Sequence, residues 1–189
     1  MKKDRKNIIL QSLASMLEER NLSKITTASL AEKSKITEAA LYRHFPSKRS
    51  IYAELFSFCD DSIFSKCNEI KKSKLSSKEK VKNAFMFFMF FIEKNKGFAR
   101  LLSREALSSD EQNVSDSVNQ FYERFELVLR QILKEDDSNL RTQPGISAQL
   151  IITSLEGNIG RYIRSKFKDA PSTYIENVWD LLSISVFKN

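Results

Sequence analysis

At 189 residues the chain is long enough to bury about 70% of the surface that its unfolded form exposes, as one domain or as a small head on a larger body. Only four glycines and three prolines disfavour an all-β protein, which needs many turns rich in both. The net charge of +7 is unevenly placed, with +6 in residues 1–50 and +1 in the rest, and this local basic surface favours nucleic acid over membrane as partner.

Lys2, Lys3, Arg5 and Lys6 read as a flexible basic arm suited to DNA phosphates, ahead of a first helix over 7–20. In that helix Leu10, Leu13, Ala14 and Leu17 repeat at the spacing of one buried face. Thr26 or Thr27 caps a second helix that runs to Lys33, with Leu30 and Ala31 inward. Ser34, Lys35 and Ile36 make a tight connection. Thr37 caps a third helix over 38–45, where Glu38 suits the positive helix start and Pro46 stops the chain. Ser47 caps a long fourth helix over 48–71 whose stripe is Ile51, Tyr52, Leu55, Phe58, Cys59 and Ile63.

Residues 71–80 are mostly Lys and Ser and read as a linker. A strongly apolar fifth helix is expected over 79–93, followed by helices over 97–107 and 113–134, a loop over 135–145, and two last helices over 146–168 and 172–187. The fold expected is therefore all-α, with about nine helices. Its organisation is a helix-turn-helix head in 1–50 and a helical regulatory and dimerisation body in 51–189. Apolar positions Leu150, Ile151, Leu155, Ile159 and Tyr162, with Val178, Leu181 and Leu182, form a candidate half of a four-helix dimer interface.

A helix, a short turn and a second short helix make the helix-turn-helix, whose second helix enters the major groove. Ala39 and Ala40 open that reading helix, and small side chains there let the backbone approach the bases. Tyr42, His44 and Lys48 suit phosphate, which positions the helix without specifying sequence. Thr26, Thr27, Thr37, Glu38 and Arg43 complete the candidate DNA-binding set.

His44 is the only histidine, and no nucleophile motif, Gly-rich phosphate loop or metal-ligand spacing accompanies it. No catalytic residue, metal or cofactor is expected. Cys59 and Cys67, eight apart on a helix, stand about 12 Å apart along the axis and cannot bridge. The apolar run 85–92 falls far short of the roughly 20 residues needed to span a bilayer. With no secretory signal at the N-terminus, the expected location is the cytoplasm.

The stretch Thr26-Thr27-Ala28-Ser29-Leu30-Ala31 and the run Glu38-Ala39-Ala40-Leu41-Tyr42-Arg43-His44-Phe45-Pro46-Ser47-Lys48 closely resemble the TetR family of bacterial regulators. That resemblance implies an all-helical homodimer that binds double-stranded DNA through N-terminal heads. Residues 9–14 and Arg161-Tyr162-Ile163-Arg164-Ser165-Lys166-Phe167-Lys168 extend it to the nucleoid-occlusion branch of that family. The branch implies antagonism of the division tubulin FtsZ, whose C-terminal tail docks between the fourth and fifth helices. Carried onto this chain, the tail contacts are Phe58, Lys66, Phe87, Lys94 and Asn95. Phe90 stands where that branch has a small residue, and Lys35 where the inter-helix turn often has glycine. The Phe- and Met-rich fifth helix also admits another reading, a repressor released from DNA by a small-molecule ligand.

Overall fold

Where this chain can cap a helix and where it must stop set the order of its elements. A computed structural model describes residues 2–19 and 22–188, with side chains from Arg5 onward. The α-helices are α1 (Lys2–Glu18), α2 (Thr27–Lys33), α3 (Glu38–His44), α4 (Lys48–Lys72), α5 (Ser77–Lys94), α6 (Lys96–Leu102), α7 (Gln112–Leu133), α8 (Pro144–Arg164) and α9 (Ile175–Val186). Leu140 and Phe187 make an isolated antiparallel bridge, and no longer strand forms among the described residues.

Several boundaries differ from the sequence reading. The helical backbone begins at Lys2 rather than at Asn7, so the basic arm is part of α1. Lys and Arg are good helix formers, and no Gly or Pro interrupts them. The expected 71–80 linker shrinks to the residues between Lys72 and Ser77. Here Ser76 and Glu79 form a reciprocal cap: the Ser76 amide donates to the Glu79 carboxylate at 2.9 Å, and the Glu79 amide donates to Ser76 Oγ at 3.3 Å. This Ser-x-x-Glu box starts a helix inside what composition read as a linker. Lys80, also assigned to the linker, is buried and pairs with Glu135 at 2.6 Å. Pro144 and Gly145 open α8 instead of closing a loop, as the fixed φ of proline permits at the first helical position.

Two compact units result. Residues 1–60 with 95–118 form the first, and 61–94 with 119–189 the second. In the first unit, Ile9, Leu13 and Leu17 of α1, Leu30 of α2, and Leu41 with Phe45 at α3 are buried. α1 lies very close to α6: a Cβ on Gly97 would sit 2.8 Å from the Ala14 carbonyl oxygen and 3.1 Å from Leu17 Cβ. Buried Arg100 donates to the Glu19 carbonyl just past the end of α1, where backbone oxygens lack helical partners.

In the second unit the aromatic side of α5 is a core element. Phe88 stacks on Phe121 and Phe125 at 5.8 and 5.1 Å, and Phe85 lies 5.8 Å from Trp179. Glu93 accepts from the Ser172 amide and hydroxyl at 2.7 and 2.9 Å, and its carbonyl accepts from the Tyr162 hydroxyl at 3.3 Å. These bonds hold the end of α5 to α8 and to the turn before α9.

A candidate nucleic-acid interface

The head is built on two threonine caps. Thr26 Oγ1 accepts from the Ser29 amide at 3.1 Å while Ser29 Oγ accepts from the Thr26 amide at 2.9 Å, closing a reciprocal box on α2. Thr37 Oγ1 accepts from the Ala40 amide at 3.2 Å and starts α3. Between the helices Lys35 takes φ 55°, the left-handed region that glycine enters without strain. Ile36 donates to the Ala31 carbonyl at 3.0 Å and closes the turn. The lysine therefore costs on the order of 1 kcal/mol, offset by that closure and by the burial of Leu30 and Leu41 beside it.

This turn fixes which face of α3 is free. Leu41 and Phe45 point into the core, whereas Thr37, Glu38, Ala39, Tyr42 and Arg43 are exposed and Ala40 and His44 half-buried. The Thr27 hydroxyl donates to the Glu38 carboxylate in a short bond, tying α2 to the start of α3. Exposed Ala39 and half-buried Ala40 leave the start of α3 without bulky side chains, beside the exposed Tyr42 and Arg43.

The basic residues divide. Arg5 is exposed. Lys6 lies 3.2 Å from Glu54 and 5.0 Å from the centroid of the Phe45 ring, packed against the head rather than free in an arm. The side chains of Lys2 and Lys3 lie outside the described residues. Lys48, at the first position of α4, pairs with Glu111 at 3.4 Å and sits 5.2 Å from the Tyr52 ring centroid.

Glu111 is the functional-site neighbour that sequence reading missed. Its side chain is 2% exposed, and its second oxygen accepts from the Ser108 amide at 3.0 Å and from the Ser108 hydroxyl. Burial pushes this carboxyl up, but the Ser108 bonds and the Lys48 ammonium outweigh it and leave the group below its ordinary value. Burial, and then Glu111, hold the Tyr52 hydroxyl well above the usual phenol range. Ser108-x-x-Glu111 is again the capping-box spacing, the one signal in the sequence that could have found it.

The residues assigned to a partner groove are distributed over both units. Phe58 and Asn95 belong to the first, and Lys66, Phe87 and Lys94 to the second. Phe58, expected in the buried stripe of α4, is 66% exposed. Lys66 pairs with Glu69 at 2.7 Å, Phe87 is half-buried with its ring 6.0 Å from that of Phe91, and Lys94 is exposed at the end of α5. Asn95 precedes the first residue of α6.

The dimer candidates also separate. Ile151, Leu155, Ile159, Tyr162 and Leu182 are buried within the chain itself, Val178 is half-buried, and Leu150 and Leu181 are exposed. The free apolar face lies one step round α8 and α9, on Ile146, Leu150, Leu181 and Ile184. Gly157 follows on the α8 face, where an added Cβ would meet no neighbour within 4 Å. Both stripes have helical spacing, so periodicity alone does not choose between them.

Comparison with known proteins places these features in context. Residues 9–55 match the family described as "Bacterial regulatory proteins, tetR family", and residues 76–186 match the SlmA-like "Tetracyclin repressor-like, C-terminal domain". The chain is 36% identical over 190 residues to "Nucleoid occlusion factor SlmA" of Vibrio vulnificus (strain YJ016), covering 98% of this chain and 97% of that protein. It is 35% identical over 192 residues to the protein of the same name from Marinomonas sp. (strain MWYL1), covering 100% and 98%. In fold it is similar to the transcriptional regulator FadR from Bacillus subtilis in complex with stearoyl-CoA, at TM-score 0.79 and 16% identity over 94% of this chain and 97% of that one. It is likewise similar to NalD, the secondary repressor of the MexAB-OprM multidrug efflux pump in Pseudomonas aeruginosa, at TM-score 0.75 and 13% identity over 99% and 97%. No helix among the described residues is long and apolar enough to cross a membrane.

Proposed function

The chain belongs to the SlmA-like branch of the TetR family, and we propose that it is a sequence-specific DNA-binding protein acting in nucleoid occlusion. The observation that carries this reading is identity to nucleoid occlusion factors along nearly the whole chain, body as well as head. The head supplies the means. A capped seven-residue helix opens with Ala39 and Ala40, the small side chains we assign to base edges, and Tyr42, His44 and Lys48 are the contacts we assign to the DNA backbone.

Two heads per assembly are needed for a two-fold site, and the exposed face of Ile146, Leu150, Leu181 and Ile184 is the apolar surface we assign to the homodimer. On DNA, the dimer acts on the division tubulin FtsZ through side chains of the second unit, with exposed Lys66 and Lys94 and half-buried Phe87 as the contacts we assign to its C-terminal tail. The working place is the nucleoid. The rival reading of α5 as the wall of a ligand pocket is weakened by its packing, since Phe85 and Phe88 already fill space against Trp179, Phe121 and Phe125.

Mapping the chromosomal sites of the protein in cells tests the proposal. Occlusion predicts many sites spread round the chromosome and missing near the terminus. A handful of promoter sites, with DNA release by a small molecule, would identify a ligand-controlled repressor instead.

A further inference from the structure

Lys48 is a long, flexible side chain at the start of α4, yet it is held from two sides. Glu111 Oε1 lies 3.4 Å from its ammonium, the Tyr52 ring centroid is 5.2 Å away, and the lysine side chain keeps 33% exposure. A local role for Glu111 as the cap of the turn at Ser109–Glu111 accounts for Oε2, which takes both Ser108 bonds. It does not account for Oε1, which faces Lys48 from a position 2% exposed.

An ammonium has three donors, so Lys48 can keep one on Glu111 and turn the others to solvent or to a phosphate. Holding a lysine in place beforehand removes much of the side-chain entropy that a phosphate contact would otherwise cost. We propose that Glu111 is a positioning residue for DNA binding, fixing the Lys48 ammonium so that it bridges a buried carboxylate and a DNA phosphate. The phosphate contact of the head is thereby anchored to the connection between α6 and α7, inside the same unit. This rests on the reading of Lys48 as a phosphate contact.

The test measures affinity for a mixed-sequence duplex across a salt series, for the full chain and for Lys48→Gln, Glu111→Gln and the double variant, with thermal unfolding alongside. Each phosphate neutralised contributes about 0.9 to the slope of log K against log salt. Glu111→Gln is expected to weaken binding several-fold and lower the slope by about that amount, as Lys48→Gln does, while the double variant matches Lys48→Gln alone. Should Glu111→Gln unfold, Glu111→Asp keeps the charge but draws it back from Lys48, and it is expected to lose the same part of the slope. An unchanged affinity, a weaker affinity with an unchanged slope, or tighter binding would each overturn the proposal. A Lys48→Gln slope equal to wild type would instead overturn the phosphate reading beneath it.

Discussion

The reading helix α3 and the aromatic helix α5 are opposite kinds of element. α3 has seven residues, one of them buried, and its character comes from a cap, a strained turn and a row of exposed side chains. α5 has eighteen residues, half of them buried, and its ends are fixed by distant partners such as Glu135 and Ser172. The work of α3 is therefore written in a contiguous stretch of chain. What α5 does depends on which of its faces other helices cover, and no local pattern records that.

The sharpest break in this contrast comes from removing aromatic rings. Phe88→Ala should cost about 3–5 kcal/mol in chemical denaturation, because the ring is fully buried between Phe121 and Phe125. Phe58→Ala should change stability by less than about 0.5 kcal/mol, since most of that ring already faces solvent. Comparable losses at the two sites would show that Phe58 is a core residue.

Gly97→Ala should cost about 1–3 kcal/mol, as its methyl meets a backbone oxygen that cannot swing aside. A neutral result in thermal unfolding would mean that α1 and α6 separate freely. In the head, Thr37→Ala should remove about 1 kcal/mol by uncapping α3. Tyr42→Phe should cost roughly 1 kcal/mol in binding, spread evenly over all DNA sequences. A change of base preference in a site-selection assay would make Tyr42 a base reader.

The smallest effect on the fold should come from Leu181→Glu. Leu181 is 70% exposed, so the charge should leave circular dichroism unaltered while sedimentation shows a monomer. A persistent dimer would place the interface elsewhere.

Much of the head was legible because its signals are local. Thr26, Thr37, the left-handed Lys35 and the stop at Pro46 each act within a few residues, and α2 and α3 fall where those signals put them. Composition misled where a short code overruled it: Ser76-x-x-Glu79 starts a helix in a stretch read as linker, and Ser108-x-x-Glu111 starts a helical turn in the gap left between two expected helices. Burial misled wherever two helical faces were both apolar. On α8, Leu150 and Ile151 are neighbours in sequence with opposite surroundings, and on α4 the expected inward position of Phe58 is an outward one. Lys48 was legible as a cation at the edge of the head, but its buried partner lies 63 residues on, at Glu111.

The DNA-bound protein is expected to restrain division. Sedimentation of FtsZ polymers with GTP, with the protein present and with or without duplex DNA carrying a mapped chromosomal site, measures this directly. Little loss of polymer is expected with protein alone, and a marked loss when the site-bearing DNA is added. Full polymer recovery in both conditions, with binding to the DNA intact, would contradict it.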